Sequence, residues 1–230
     1  MSTIATTNIK EPSSATNNIT LTSGGDTTIS GNATVTGTLN NLTYPTADGT
    51  SGQVLKTDGS GTLSFASPFT YGTAHTFDNT TNEKTFTGIP STAKRITVLI
   101  EDLSTASNLS SQLYMRVGPS TGILTTNIYT FATSYGTSTD NANPDSYYRV
   151  IHSNFSDPLN VWSGRITLTK LTASGNTWVV ESQVGAVSGG AVNSAAGSIK
   201  LGSDVLERVQ LLHGNLDNYD AGTVNIMYES

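Results

Sequence analysis

Two unlike hydrophobic patterns meet near Tyr44. Before it, the larger apolar side chains (Ile4, Ile9, Ile19, Leu21, Ile29, Val35, Leu39 and Leu42) stand singly among Thr, Ser and Asn, with no aromatic residue. That is too little to close a core within one chain, since small domains struggle even with ordinary hydrophobicity. Such a segment is either disordered or ordered by other chains. Glycine returns every six residues, in Gly25-DTTIS, Gly31-NATVT and Gly37-TLNNL. Ile29 and Val35 occupy matching places, and Leu39 and Leu42 break the match. About three repeats is the least a solenoid needs, so the stripe is expected to meet its own copies on sister chains. Ile29, Val35, Leu39 and Leu42 are the candidate stalk interface. The plain alternative is chance periodicity in a Thr/Gly-rich linker.

After Pro68 the pattern changes to short alternating runs. Strands are predicted near 74–77, 84–87, 95–103, 112–117, 128–134, 147–153, 165–171, 177–183, 198–201, 208–212 and 223–228. Ile96-Thr-Val98-Leu-Ile100, Ile166-Thr-Leu168-Thr and Val224-Asn-Ile226 carry the clearest period of two. Breakers fall between the runs, among them Gly118-Pro119, Asn143-Pro144, Asp157-Pro158 and Gly189-Gly190. Many short strands with regular turn signals predict a sandwich or jelly roll. Residues 204–212 have room for one helical turn at most.

Between the two patterns lies Tyr44–Phe65, YPTADGTSGQVLKTDGSGTLSF. Val54 and Leu55 sit in one short run, Leu63 and Phe65 in the return, and Asp58-Gly59 with Gly61 makes the turn. Asp-Gly between such runs is a strong hairpin signal, because Gly accepts positive φ without steric cost. The resulting expectation is all-β. It comprises a thin N-terminal β-stalk (1–43), a hairpin joint (44–67) and an antiparallel, jelly-roll-like β-sandwich head (68–230).

Composition narrows the function classes. The net charge is −6, with 11 Lys and Arg against 17 Asp and Glu. An acidic chain poor in cations is a poor partner for phosphate backbones, so no nucleic acid is expected. There is no cysteine, hence neither disulfide nor thiolate metal site. No apolar run reaches the roughly 20 residues that span a bilayer, and MSTIATTNIK lacks the basic and apolar parts of a secretion signal. Membrane insertion is not expected.

The segment PTADGTSGQVLKTDGSGTLS resembles one that recurs in bacteriophage fibre proteins, notably of marine and cyanobacterial phages. IKEPSSATNNITLTSGGDTTISG (9–31) is similar to the opening of such proteins, and DAGTVNIMYE (220–229) to the last strand of heads found on them. The resemblance implies a homotrimeric tail fibre or spike at the virion surface. Its N-terminus would be held by other virion proteins, and its head would recognise a host polysaccharide or protein. The alternatives are a structural decoration or adaptor protein, and a polysaccharide-degrading spike.

No catalytic constellation selects itself. His75, His152 and His213 share no ligand spacing, and packing or surface roles are expected of them. Glu101 and Asp102, as neighbours on a strand, should point to opposite faces. Asp140, Asp145, Asp157 and Glu181 offer carboxylates, but nothing in their spacing selects a pair. No phosphate loop or nucleophile elbow is present. No enzyme activity, metal or cofactor is therefore expected. Trp178 reads as core, and Trp162 as core, interface or sugar platform. The long stretches 134–146 and 185–197 read as loops at the free end of the head. Asp140, Asn141, Asn143 and Asp145 beside Tyr147 are the candidate receptor-binding residues, able to hydrogen-bond and stack on a sugar.

Overall fold

The computed structural model describes residues 37–106, 112–125, 128–135, 138–151, 161–186, 192–214 and 217–230; the side chains of 135 and 138–145 lie outside that description. Ile29 and Val35 fall outside the described residues, as do His152 and Asp157. The chain is all-β and antiparallel, and no helix occurs among the described residues.

The chain divides into two compact units, the first holding Met1–Asp48 with Leu55–Phe65. Strands β1 (Val54–Thr57) and β2 (Leu63–Ala66) pair as a hairpin. The Asp58 Oδ1 accepts the N–H groups of Ser60 at 2.7 Å and Thr62 at 3.0 Å. Those bonds favour the ionised carboxyl and lower its pKa. Gly59 and Gly61 have φ of 80° and 95°, the region where a Cβ costs most. Thr43 runs parallel to Thr62, donating to the Gly61 carbonyl at 2.8 Å and accepting from Leu63 at 2.9 Å. Leu39 and Leu42, expected at a stalk interface, bond each other across a tight turn at 3.0 Å, and Leu39 is 54% exposed. From Gly37 to Thr76 no residue is buried.

The second unit, Gly49–Val54 with Ala66–Ser230, is a sandwich. Its strands are β3 (Thr70–Tyr71), β4 (His75–Thr76), β5 (Glu83–Phe86), β6 (Arg95–Thr105), β7 (Leu113–Gly118), β8 (Tyr129–Tyr135) and β9 (Ser138–Asp145), followed by β10 (Tyr148–Ile151), β11 (Trp162–Lys170), β12 (Thr177–Ala186), β13 (Val192–Lys200), β14 (Arg208–His213) and β15 (Tyr219–Glu229). The short sheet runs β10-β7-β14-β5; the long sheet runs β3-β15-β6-β11-β12-β13-β8-β9, with β4 also on β15. With β11–β13 counted as one meander, β5 pairs with β14, β6 with the meander, β7 with β10, and β8 with β9. First meets last, second meets second-last, and so inward, which is the order of a jelly roll.

One core joins the two sheets. Ile96, Val98, Ile166, Leu168 and Val180 of the long sheet and Leu113, Met115, Val117 and Leu211 of the short one are wholly or nearly wholly buried. Trp162 and Trp178 belong to this core, at 0% and 2% exposure, so Trp162 offers no platform to a sugar. The Tyr129 hydroxyl ties the sheets together by accepting the Val117 N–H at 2.8 Å. Burial pushes that phenol up to about 12.

Several expectations need correction. The stretch 134–146 is mostly strand rather than loop: it holds the end of β8 and all of β9, paired from Tyr129–Asp145 to Tyr135–Ser138, with residues 136–137 outside the described ones. Its polar residues and Pro144 suit an edge strand, where one side of the backbone stays unpaired. The stretch 185–197 is likewise mostly strand, the end of β12 and the start of β13, with residues 187–191 outside the described ones. Cross-strand pairing on both sides overrides the weak propensity of its Gly, Ala and Ser. At 204–212 the bound of one helical turn at most is kept with none formed, and the strand expected at 208–212 is present as Arg208–His213. Finally, Glu101 and Asp102 are both exposed. A bulge there sets two residues against Ser163, Asp102 has φ of 52°, and Ser163 donates to its carboxylate at 3.1 Å.

Candidate functional site

The outer face of the long sheet alternates with its core face. Ile166, Leu168, Val180, Ala195 and Ile199 point in; Arg165, Thr167, Thr169, Glu181, Gln183, Ser194 and Ala196 come between them along β11, β12 and β13. The register aligns these outer residues in rows. One row reads Arg165, Gln183, Ser194, Ser134; the next reads Thr167, Glu181, Ala196, Ala132.

At the β13 and β8 end every outer side chain in these rows is Ala or Ser. At the β11 and β12 end they are long: Arg165, Gln183 and Glu181. The short side chains leave a trough of about 1040 Å³, with Arg95, Thr169 and Val179 also on its lining. Glu181 is the one carboxylate among the lining residues. Arg95 lies 3.7 Å from Glu229, a half-exposed pair of little energetic weight.

Of the residues expected to bind a receptor, Asn141 has its backbone opposite Ala132, continuing one of the trough's rows onto β9. Asp140 lies opposite Thr133, and Asp145 opposite Tyr129. Asn143 lies on the same strand. Tyr147 is elsewhere. Its ring stacks on Tyr114 of the short sheet, centroids 3.9 Å apart and 15° between planes. Arg149 donates to the Tyr147 hydroxyl at 3.1 Å and lies 5.7 Å from the ring centroid. Tyr147, half-buried, thus takes part in a Tyr–Arg clasp at the β10 edge.

Sequence reasoning missed Arg165, Gln183 and Ala132; Ser134, Ser194 and Ala196 fall inside the two stretches expected to form the receptor surface, though those were read as loops. A signal was present: outward places on central strands normally favour β-branched residues, and here they hold Ala and Ser. Glu181 was noticed as a carboxylate, without a place.

His75 and His213 are the histidines among the described residues. His75 stands edge-on to Phe77 at 4.7 Å; Phe77 packs on Tyr219 at 4.5 Å; Tyr219 meets His213 edge-on at 5.8 Å. Burial lowers the pKa of His213, against a smaller opposite pull from Asp217. Among the described residues, no three His, Cys, Asp or Glu side chains gather as metal ligands would. No protein family, curated protein or solved structure matches the chain.

Proposed function

We propose that the protein is a virion fibre or spike, held to the particle through its N-terminal segment, assembled as a homotrimer, and recognising a host surface through its jelly-roll head. One observation carries the reading beyond the sequence resemblance: the contrast in burial along the chain. The head has a continuous core, whereas from Gly37 to Thr76 no residue is buried. Tyr44, Val54, Leu55 and Phe65 stand 36–49% exposed in that span. A lone hairpin is marginal in water. Val54 and Leu55 are consecutive in β1, so they face opposite sides of the hairpin. Both sides therefore need cover. Two sister copies around a threefold axis supply it, and one flat partner does not.

The test is the mass of the full chain in solution by light scattering. Three copies are expected, falling to monomer in the Leu55→Asp, Phe65→Asp double variant. Each substitution would place an unpaired charge in an apolar seam. A parent protein that is monomeric at micromolar concentration refutes the trimeric fibre. Binding of the labelled chain to isolated cyanobacterial envelope separates host recognition from a purely structural decoration.

A further inference from the structure

We infer that the trough on the outer face of the long sheet is a binding site for an extended polyhydroxylated ligand, a glycan chain of several sugars lying across β11, β12, β13 and β8. The inference rests on the reading of the head as a recognition module, and it names the surface and the class of ligand.

Three observations carry it. The first is shape. Ala132, Ser134, Ser194 and Ala196 make a low floor bounded by Arg165, Gln183 and Glu181. From β6 to β8 the trough crosses five strands, about 19 Å at the usual strand spacing. That is a length for a chain of rings rather than one.

The second is chemistry. Arg165 lies directly opposite Gln183, and Glu181 is the next outward residue on the same strand as Gln183. Guanidinium, amide and carboxylate are planar groups that each present two hydrogen-bonding positions side by side. Adjacent hydroxyls on a sugar ring present the matching pair. Together the three supply donors alone, donors with an acceptor, and acceptors alone. Ser134, Ser194, Thr167 and Thr169 add hydroxyls along the length.

The third is that other ligand classes fit badly. Among the described residues the lining has no aromatic side chain, and Val179 is its one large apolar one. A protein partner would ask for aromatic anchors in desolvated pockets, and an apolar small molecule for an apolar enclosure. The acidic chain disfavours phosphate polymers. The floor also departs from the local preference of a sheet centre for β-branched residues, and such departures concentrate at functional sites. Among the described residues the trough's lining holds one carboxylate, short of the two that glycoside hydrolysis needs. It holds its ligand rather than cutting it.

The experiment uses the full chain with soluble hexasaccharides of neutral-hexose, amino-sugar and uronate backbones, read by saturation-transfer NMR, which detects weak single-site binding. Binding to one backbone class is expected. In Glu181→Gln and Arg165→Ala it should weaken about tenfold, the scale of one charge-assisted hydrogen bond. In Ala196→Tyr, where a ring fills the floor at an exposed strand position, binding should vanish with the melting temperature retained. Three results each overturn the inference: no hexasaccharide binds, the three variants bind as the parent does, or Ala196→Tyr changes the oligomeric mass, which would make the trough a seam between copies. Envelope binding measured in parallel keeps the two readings apart. If the parent binds envelope and the trough variants bind it equally, recognition stands and the trough falls. If the hexasaccharide effects hold without envelope binding, the trough stands and host recognition falls.

Discussion

The ring of Tyr147 lies face to face with that of Tyr114, 3.9 Å between centroids, with the Arg149 guanidinium 5.7 Å and 5.9 Å from the two rings. The pair joins the strand β7 to the residue that leads into β10, so it fastens the edge of the short sheet. Tyr147→Ala should therefore lower stability, by about 1–3 kcal/mol from the lost stacking and partial burial together. Thermal unfolding measures it. An unchanged melting temperature with weakened glycan binding would return Tyr147 to the role of a sugar platform.

Tyr129→Phe removes the hydroxyl that accepts from the Val117 N–H and lies within donating distance of the Val117 and Leu124 carbonyls. The ring stays, but the Val117 N–H loses its acceptor at 2.8 Å in a buried place. A buried donor left alone costs about 1–3 kcal/mol. Urea unfolding should show that loss in the midpoint with an unchanged slope.

Two glycines should answer differently to substitution. Gly59 has φ of 80° with nothing within 4 Å of a built Cβ, so its cost is conformational alone. Gly59→Asn should be mild and Gly59→Val costlier, by about 1–2 kcal/mol, since a β-branched residue resists that φ. Gly222 has φ of 103°, and a Cβ there would stand 2.5 Å from the Leu103 Cα. It lies across from the bulge at Asp102. Gly222→Ala should thus cost more than Gly59→Ala, by both conformation and contact. Parallel melting curves decide it.

Acid should loosen the head before its carboxylates titrate. His213 is fully buried, and burial holds its pKa below the ordinary 6.5. Above that pH it is neutral in both states and contributes no slope. Below it the unfolded chain takes up a proton that the folded chain refuses, so stability falls as pH drops through 6.5. The limiting slope is about 1.4 kcal/mol per pH unit for one proton. Asp217 favours the charged form and opposes this in part. Denaturation midpoints between about pH 7 and 5.5 should show the decline, and His213→Phe should reduce it, leaving the contribution of His75, whose pKa is also lowered by desolvation.

Much of the head was legible because alternation reports burial directly. Ile96, Val98 and Ile100, read as one strand face, are all core, and each predicted head strand has its counterpart in β4–β8 or β10–β15. What failed was the reading of polar and small-residue stretches as loops. β9, STDNANPD, shows no alternation, and its polar residues and Pro144 suit the unpaired backbone side of an edge strand. The Val192–Lys200 strand carries Ala, Gly and Ser because its pairing with β12 and β8 holds it extended. The trough was illegible for a related reason. Its rows are made by register between separate strands, Gln183 with Ser194 on the next strand and Ser194 with Ser134 about sixty residues back, and register is a property no single segment states.

The mirror-image pairing of the head has a consequence for how it comes together in time. Ser134 meets Thr139 across a few residues of chain, whereas Met115 must find Tyr148, Val98 must find Ile166, and Phe86 must find Val209. Each inner closure brings the ends of the next pair nearer, so the chain can close from the centre outward like a zipper, each step spanning a short remaining loop instead of the full separation. Taken in any other order, the outermost pairing costs the entropy of the whole intervening chain at once. Assembly should therefore be slow and directional, as for other folds dominated by contacts distant in sequence. Its last acts are to lay β14 against β5 and then β15 against β4 and β3.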